Sequence, residues 1–285
     1  MVMEDENIES VAAAGGFPAP NGDLMEEVCR EFRELGVSVP GEIICSWSLS
    51  NLVGRSEMEN VVKLLDSIRS LVHERKVRML RKMSRIPQVA VKTFDNYDMD
   101  RLSPSNKEVI RHLESLDFIR LGENVVFVGD QGTGKTHIAQ AIGNKCCDMG
   151  MSVRYFKMEE ISSKLRDLVG KGANTKLFSD LSNVQCLIID EVGYCTSLGP
   201  DESALLFQIL DRRYESGKRT TVFTSNKMPS DWRDLFSDSD LAKCVLDRIM
   251  DRCIAIEIRG SSYRGAGRRS FKLSCNNIPV ITGVK

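Results

Sequence analysis

The sequence predicts an α/β fold with a parallel sheet, and three observations carry that prediction. From about Phe94 onward, short runs rich in Val, Ile and Phe alternate with stretches at helical spacing. The runs show little polar alternation, which is how strands covered on both faces by helices read. The first of them, Val125-Val126-Phe127-Val128, leads straight into the glycine-rich string Gly129-Asp130-Gln131-Gly132-Thr133-Gly134-Lys135-Thr136. Strands that alternate with crossover helices imply parallel pairing.

Composition sets the outer bounds. A chain of 285 residues, 42 % hydrophobic and 28 % charged, is long enough to bury a sizeable core. The net charge of −1 gives by itself no reason to suspect nucleic acid. Charge is unevenly spread, however: acids alone occupy Met1 to Glu27, whereas bases dominate Arg69 to Arg85. The nine cysteines form no Cys-x-x-Cys pair and read as reduced cytosolic thiols. His73, His112 and His137 stand apart from any ligand cluster, so a histidine metal site is not expected. No segment approaches the roughly 20 apolar residues that span a bilayer. A soluble cytoplasmic protein without membrane association is expected.

The elements follow in order. Residues 1–22, with their Gly, Pro and Ala runs, are expected to be a disordered acidic terminus, and residues 23–90 a small helical N-terminal domain. Leu24, Val28, Phe32 and Leu35 recur at helical spacing, and Gly36 ends that helix. A loop with a short strand near Glu42 to Trp47 comes next. Ser56 and Glu59 form a capping box that opens a long helix, which stops before Pro87. Its first half carries an apolar face of Val61, Leu65, Ile68 and Val72. Its second half carries Arg75, Arg78, Lys82 and Arg85 on one stripe, with few acids beside them. A solvated face normally mixes both signs, so contact with a polyanion stands beside the plain surface reading.

Residues 91–285 hold the sheet. Its strands are predicted at Asn124–Val128, Val153–Met158, Cys186–Asp190, Thr220–Thr224 and Cys253–Ile258. Helices are predicted at Thr136–Met149, Glu202–Glu215 and Asp240–Asp251.

The string from Gly129 to Thr136 is a phosphate-binding loop in its strand–loop–helix setting. Glycines let backbone N–H groups approach phosphate oxygens, and the next helix adds its N-terminal dipole. Lys135 would reach the β- and γ-phosphates, and the Thr136 hydroxyl would ligate Mg²⁺. Leu187-Ile188-Ile189 then delivers Asp190 and Glu191 to the sheet edge where ligands bind. Asp190 would hold Mg²⁺ through water, and Glu191 would orient or deprotonate the attacking water. Asn226, just past the next strand, is placed to sense the γ-phosphate. Pro229 stands where a guanine-recognition motif needs Asp, so ATP is expected rather than GTP. Arg248, at the end of a helix, is either a salt-bridged surface arginine or one supplied across a subunit interface.

Between Phe94 and Arg264 these residues resemble the IstB-like ATPases, helper proteins of insertion-sequence transposition in the AAA+ class, related to the DnaC helicase loaders. The resemblance rests on Gly132-Thr133-Gly134-Lys135-Thr136-His137 and on Asp190-Glu191-Val192-Gly193-Tyr194. It continues through Arg212-Arg213-Tyr214-Glu215-Ser216-Gly217, Thr224-Ser225-Asn226 and Leu246-Asp247-Arg248-Ile249, and ends in Arg259-Gly260-Ser261-Ser262-Tyr263-Arg264.

The resemblance implies an AAA+ P-loop domain with a five-stranded parallel sheet and no C-terminal helical lid. It implies that Gly129, Gly132, Thr133, Gly134, Lys135, Thr136, His137 and Asp190 bind ATP and Mg²⁺. Glu191 would be the catalytic base, Asn226 the first sensor and Arg248 the arginine acting in trans. A helical insertion, here Glu159–Asn183, would contact DNA through Lys164, Arg166, Lys171 and Lys176, together with the basic helix of Arg75 to Arg85. Homo-oligomers on double-stranded DNA, assisting a cognate transposase, would be the functional form. The alternative is a loader whose partner is a replicative helicase. The loop departs from its relatives in having Gly-Asp-Gln-Gly where prolines are usual, so Asp130 must point away from the phosphates.

Overall fold

The computed structural model describes residues 22–36, 55–169, 176–194 and 197–259. The chain divides into two compact units, residues 1–78 and 79–285. In the first, α1 spans Gly22–Glu34, and α2 begins at Arg55 and runs to Ser84, so the division falls within α2. Val28 and Leu65 are buried there, and Arg69 forms ion pairs with Glu31, Glu34 and Asp66. The apolar face expected of α2 is only partly covered: Ile68 and Val72 are exposed beside buried Leu65. The short strand near Glu42, the capping side chain of Ser56, the acidic terminus, Lys171 and the expected lack of a lid all lie outside what is described.

In the second unit a 3₁₀ turn at Met99–Arg101 leads to α3 (Pro104–Ser115) and α4 (Asp117–Leu121). Ser103 caps α3 by accepting from the Asn106 amide, and Pro104 occupies the first turn, where no amide partner is lost. The sheet then alternates with helices: β1 (Asn124–Val128), α5 (Lys135–Asp148), β2 (Val153–Lys157), α6 (Met158–Leu168), α7 (Lys176–Asn183) and β3 (Cys186–Val192). It continues with α8 (Pro200–Ser216), β4 (Thr220–Ser225), a 3₁₀ turn at Pro229–Leu235, α9 (Ser239–Asp251) and β5 (Cys253–Glu257). All five strands are parallel, in the order β2-β3-β4-β1-β5. The expected parallel sheet flanked by helices is therefore present.

Strand alternation sorts the core into two layers. Val126, Phe156, Ile189 and Phe223 face one way and pack with Met158, Ile161, Leu206 and Val245 of α6, α8 and α9. Val125, Phe127, Ile188 and Val222 face the other way, against Ile138 and Ile142 of α5 and Leu113 and Phe118 of α3 and α4. Helix α5 lies so close to the sheet that a methyl on Gly143 would come within 2.6 Å of Ile86 and 2.7 Å of Ile188. The outer strand β5 departs from the two-sided burial expected of it, because Ala255 and Glu257 are exposed. No helix among the described residues is long and apolar enough to cross a membrane.

Arg213, near the end of α8, is buried at 2 % exposure. Its guanidinium donates to Thr221 Oγ1 at 2.9 Å, to Leu181 O at 2.9 Å and to Val184 O at 2.8 Å, and also to Thr220 O. It thus ties the end of α7, the turn that follows it and the start of β4 to one side chain. Burial pushes its pKa down to about 9. Substituting Arg213→Met leaves those carbonyls without their donor, at about 1–3 kcal/mol for each buried acceptor left unpaired. Part of that cost is offset because a charge is no longer buried. A net loss of about 2 kcal/mol should lower the melting temperature by roughly 4–8 °C in thermal unfolding. A variant that melts with the parent would remove Arg213 as the clamp.

Candidate nucleotide-binding site

Buried β1 carries the chain to the C-terminal edge of the sheet and into Gly129, whose amide donates to Ser225 O at 3.2 Å. Here glycine is required by space. A β-carbon on Gly129 would lie 2.1 Å from the carbonyl oxygen of Ile258, a backbone atom that cannot step aside. Gly132 and Gly134 take φ values of 80° and 97°, and Gly134 caps α5. The loop therefore closes over the helix N-terminus, where amides and dipole favour an anion. Thr133 Oγ1 donates to Asp130 O at 3.0 Å, while the Asp130 side chain is exposed. Lys135, 8 % exposed, donates to Gly129 O at 2.7 Å and to Asp130 O at 2.6 Å. Its ammonium is stationed inside the ring of loop backbone, where phosphate oxygens would compete with those carbonyls.

Strand β3 runs past Asp190 to Val192, further than predicted, with a register irregularity between Ile189 and Val192. Glu191 sits at φ 60°, a left-handed conformation unusual for a residue with a β-carbon. The bulge turns two successive acids to different tasks. Asp190, 1 % exposed, accepts at Oδ1 from Thr136 Oγ1 at 2.9 Å and from Thr224 Oγ1. Its Oδ2 accepts from the Tyr155 hydroxyl. The Glu191 carboxylate is half-buried, and its Oε2 lies 2.9 Å from Lys157 Nζ. That hydrogen bond raises the Lys157 pKa. The Glu191 amide donates to Thr224 Oγ1 at 3.1 Å, so one hydroxyl serves both acids.

Asn226 follows β4 at this edge and is exposed. Next to it, Ser225 Oγ donates to Val192 O and accepts from Trp232 Nε1 at 3.1 Å, which ties the strand end to the turn after β3. Tyr194 reaches back to Gln131 of the loop. His137 points instead to the segment preceding the sheet. Its Nε2 hydrogen goes to Thr93 O at 3.0 Å, and its ring meets Tyr97 edge-on at 5.2 Å. Burial lowers its pKa, which favours the neutral ring.

Arg248 lies at the other end of the sheet. The next residue, Ile249, accepts at its carbonyl from Asn124, the first residue of β1, whereas the loop follows the last. A strand of five residues at about 3.3 Å each separates it from Lys135. Arg248 pairs with Asp211, donates to Cys244 O at 3.2 Å and stacks 4.9 Å from the Phe207 ring centre. It cannot serve the site of its own chain.

The basic residues divide. Arg75, Arg78, Lys82 and Lys176 are exposed. Arg85 pairs with Glu160 at 3.1 Å and lies 4.5 Å from the Phe156 ring, and Arg81 pairs with Asp148 at 2.6 Å. An acid distant in sequence thus accompanies Arg85, just past the end of α2, and another accompanies the neighbouring Arg81, which the sequence alone did not show. Lys164 is half-buried, and Arg166 lies 3.9 Å from Glu202. Sequence reasoning missed Tyr155, Lys157 and Thr224. The one available signal was alternation, which puts Tyr155 and Lys157 on the same face of a strand.

The donor set fits Mg²⁺ and a nucleoside triphosphate. Thr136 and Asp190 offer hard oxygens 2.9 Å apart beside the loop that would hold the phosphates.

The family model described as IstB-like ATP binding protein matches residues 49–270. A Pseudomonas aeruginosa protein, named as an ATP-binding protein of insertion sequence IS21, is 34 % identical over 209 residues, covering 73 % of this chain and 77 % of its own length. A second, named for insertion sequence IS232 of Bacillus thuringiensis subsp. berliner, is 31 % identical over 224 residues, covering 79 % and 86 %. Among solved structures, the crystal structure of the DnaC helicase loader aligns with a TM-score of 0.49 at 23 % identity, covering 59 % of this chain and 96 % of that one.

Substituting Gly129→Ala should weaken binding of a fluorescent ATP analogue at least tenfold, about 1.4 kcal/mol, because either the loop or the end of β5 must move. Unchanged affinity in a fluorescence titration would contradict the close approach.

Proposed function

Because the chain belongs to the IstB-like ATP binding protein family, we propose that it hydrolyses ATP and assembles on double-stranded DNA to assist a cognate transposase. The observation that carries the hydrolytic part is the juxtaposition of Thr136 and Asp190 at 2.9 Å, with Glu191 turned aside by the bulge and paired to Lys157.

Lys135 would exchange its two loop carbonyls for phosphate oxygens and hold the transferring group. Mg²⁺, bound through Thr136 and Asp190, would neutralise charge on the β- and γ-phosphates. Water attacks the γ-phosphorus and the bond to the ADP oxygen breaks, giving ADP, phosphate and a proton. Glu191 takes that proton at Oε1, while Lys157 engages Oε2 and fixes the carboxylate. Asn226 orients the attacking water from the adjacent strand. Arg248 would leave Asp211 to meet the triphosphate of a neighbouring chain, which makes turnover depend on assembly. His137 would act indirectly, by holding the Thr93–Tyr97 segment against the loop.

DNA contact is assigned to exposed Arg75, Arg78 and Lys82, with Lys164, Arg166, Lys171 and Lys176 of the insertion as a second group. Arg85 contributes less, because Glu160 already engages it. The relatives' names support the transposition setting, since both are ATP-binding proteins of insertion sequences.

Glu191→Gln should bind ATP as the parent does yet lose about 10²- to 10⁴-fold in turnover, the usual contribution of a general base. Normal steady-state turnover would remove Glu191 from that role. Reversing charge at Arg75, Arg78 and Lys82 together should flatten the plot of log affinity for duplex DNA against log salt by roughly 3, at about 0.9 per phosphate contact. An unchanged slope in a salt titration would return that stretch to solvated surface.

A further inference from the structure

Asp190 has two oxygens, and they are held differently. Oδ1 accepts from Thr136 and Thr224, the first on the helix that follows the phosphate loop and the second on the neighbouring strand. Oδ2 accepts from Tyr155, which comes from β2 on the far side of β3. Register explains the reach: Lys157 lies opposite Asp190 and Tyr155 opposite Ile188, so the phenol passes along the strand to the acid. The ring is packed in the layer with Ile188, Val153 and Ile142, and the residue is 6 % exposed. Phenylalanine would fill the same space. What tyrosine adds is an oxygen, and that oxygen donates to Asp190.

A carboxylate tied at one oxygen only can rotate about its last bond and present either oxygen to a metal. With Oδ2 fixed by Tyr155, Oδ1 stays turned to Thr136. We infer that Tyr155 is a positioning residue of the Mg²⁺ site, whose hydroxyl fixes the orientation of the Asp190 carboxylate. The inference rests on the reading of Thr136 and Asp190 as the metal-holding pair. Ligating carboxylates are themselves hydrogen-bonded in metal sites, and loss of such a partner weakens metal binding. The phosphate contacts of Lys135 and the loop do not pass through Tyr155, so nucleotide binding without metal does not depend on it.

The test uses the full chain with Tyr155→Phe, and Asp190→Asn in parallel. Free Mn²⁺ is followed by electron paramagnetic resonance as it titrates the ADP-loaded protein. Affinity for a fluorescent ADP analogue and the melting temperature are measured in EDTA. Tyr155→Phe is expected to weaken Mn²⁺ binding by about 10- to 100-fold with metal-free ADP affinity unchanged, while melting falls by only a few degrees for the lost buried hydrogen bond. Asp190→Asn should lose Mn²⁺ binding at least as severely. If Asp190→Asn loses it while Tyr155→Phe binds Mn²⁺ like the parent, the role of Tyr155 is overturned and the metal pair stands. If Asp190→Asn also binds Mn²⁺ like the parent, the metal pair itself falls, and this inference with it. A Tyr155→Phe protein whose metal-free ADP affinity drops as far as its Mn²⁺ binding would make Tyr155 a packing residue, which also overturns the proposal.

Discussion

A carboxylate taken out of water needs donors in place of the water it lost, and at Asp190 three separate elements provide them. The hydroxyls come from the start of α5, from β4 and from β2. Each arrives only if its element is in register with β3. The order β2-β3-β4-β1-β5 sets the acid's strand between two of its donors and brings the loop after β1 within reach of the third. The same Thr224 hydroxyl receives the Glu191 amide and so supports the bulge that separates the two acids. Sheet order, bulge and loop thus converge on one buried charge.

Much of this was legible in the sequence, for local reasons. The loop declares itself because its glycines answer steric demands that few other residues meet, as the 2.1 Å approach to Ile258 illustrates at Gly129. Asp190 and Glu191 were legible because an apolar run delivers them to a strand end. The positive φ at Glu191 was not, since nothing in an Ile-Asp-Glu-Val string signals left-handed backbone. Tyr155 and Lys157 were illegible as site residues because their meaning depends on which strand pairs with β3, and in what register. Arg213 was visible only as part of a family string. Its role comes from carbonyls at the end of α7, in the turn that follows it and at the start of β4, which meet only in the fold. Likewise the bases of α2 looked unopposed because Asp148 and Glu160 lie far along the chain.

The separation of Arg248 from its own phosphate loop bears on how the proposed cycle is organised. In the proposed cycle both ends of the sheet would carry chemistry: the loop, the acids and Asn226 at one, Arg248 at the other. In a head-to-tail assembly the second end of one chain would complete the first end of the next. Within the chain Arg248 is engaged by Asp211 and Phe207, so its transfer to a neighbour exchanges one charged partner for another. On that proposal, coupling of turnover to assembly on DNA would follow from the arrangement itself.

Steady-state ATP hydrolysis measured with and without duplex DNA, with the size of the protein followed in the same samples, tests the central claim most directly. ATP and duplex DNA together should drive growth into a large assembly, with turnover rising as the assembly forms. Turnover and size that both ignore duplex DNA would contradict it.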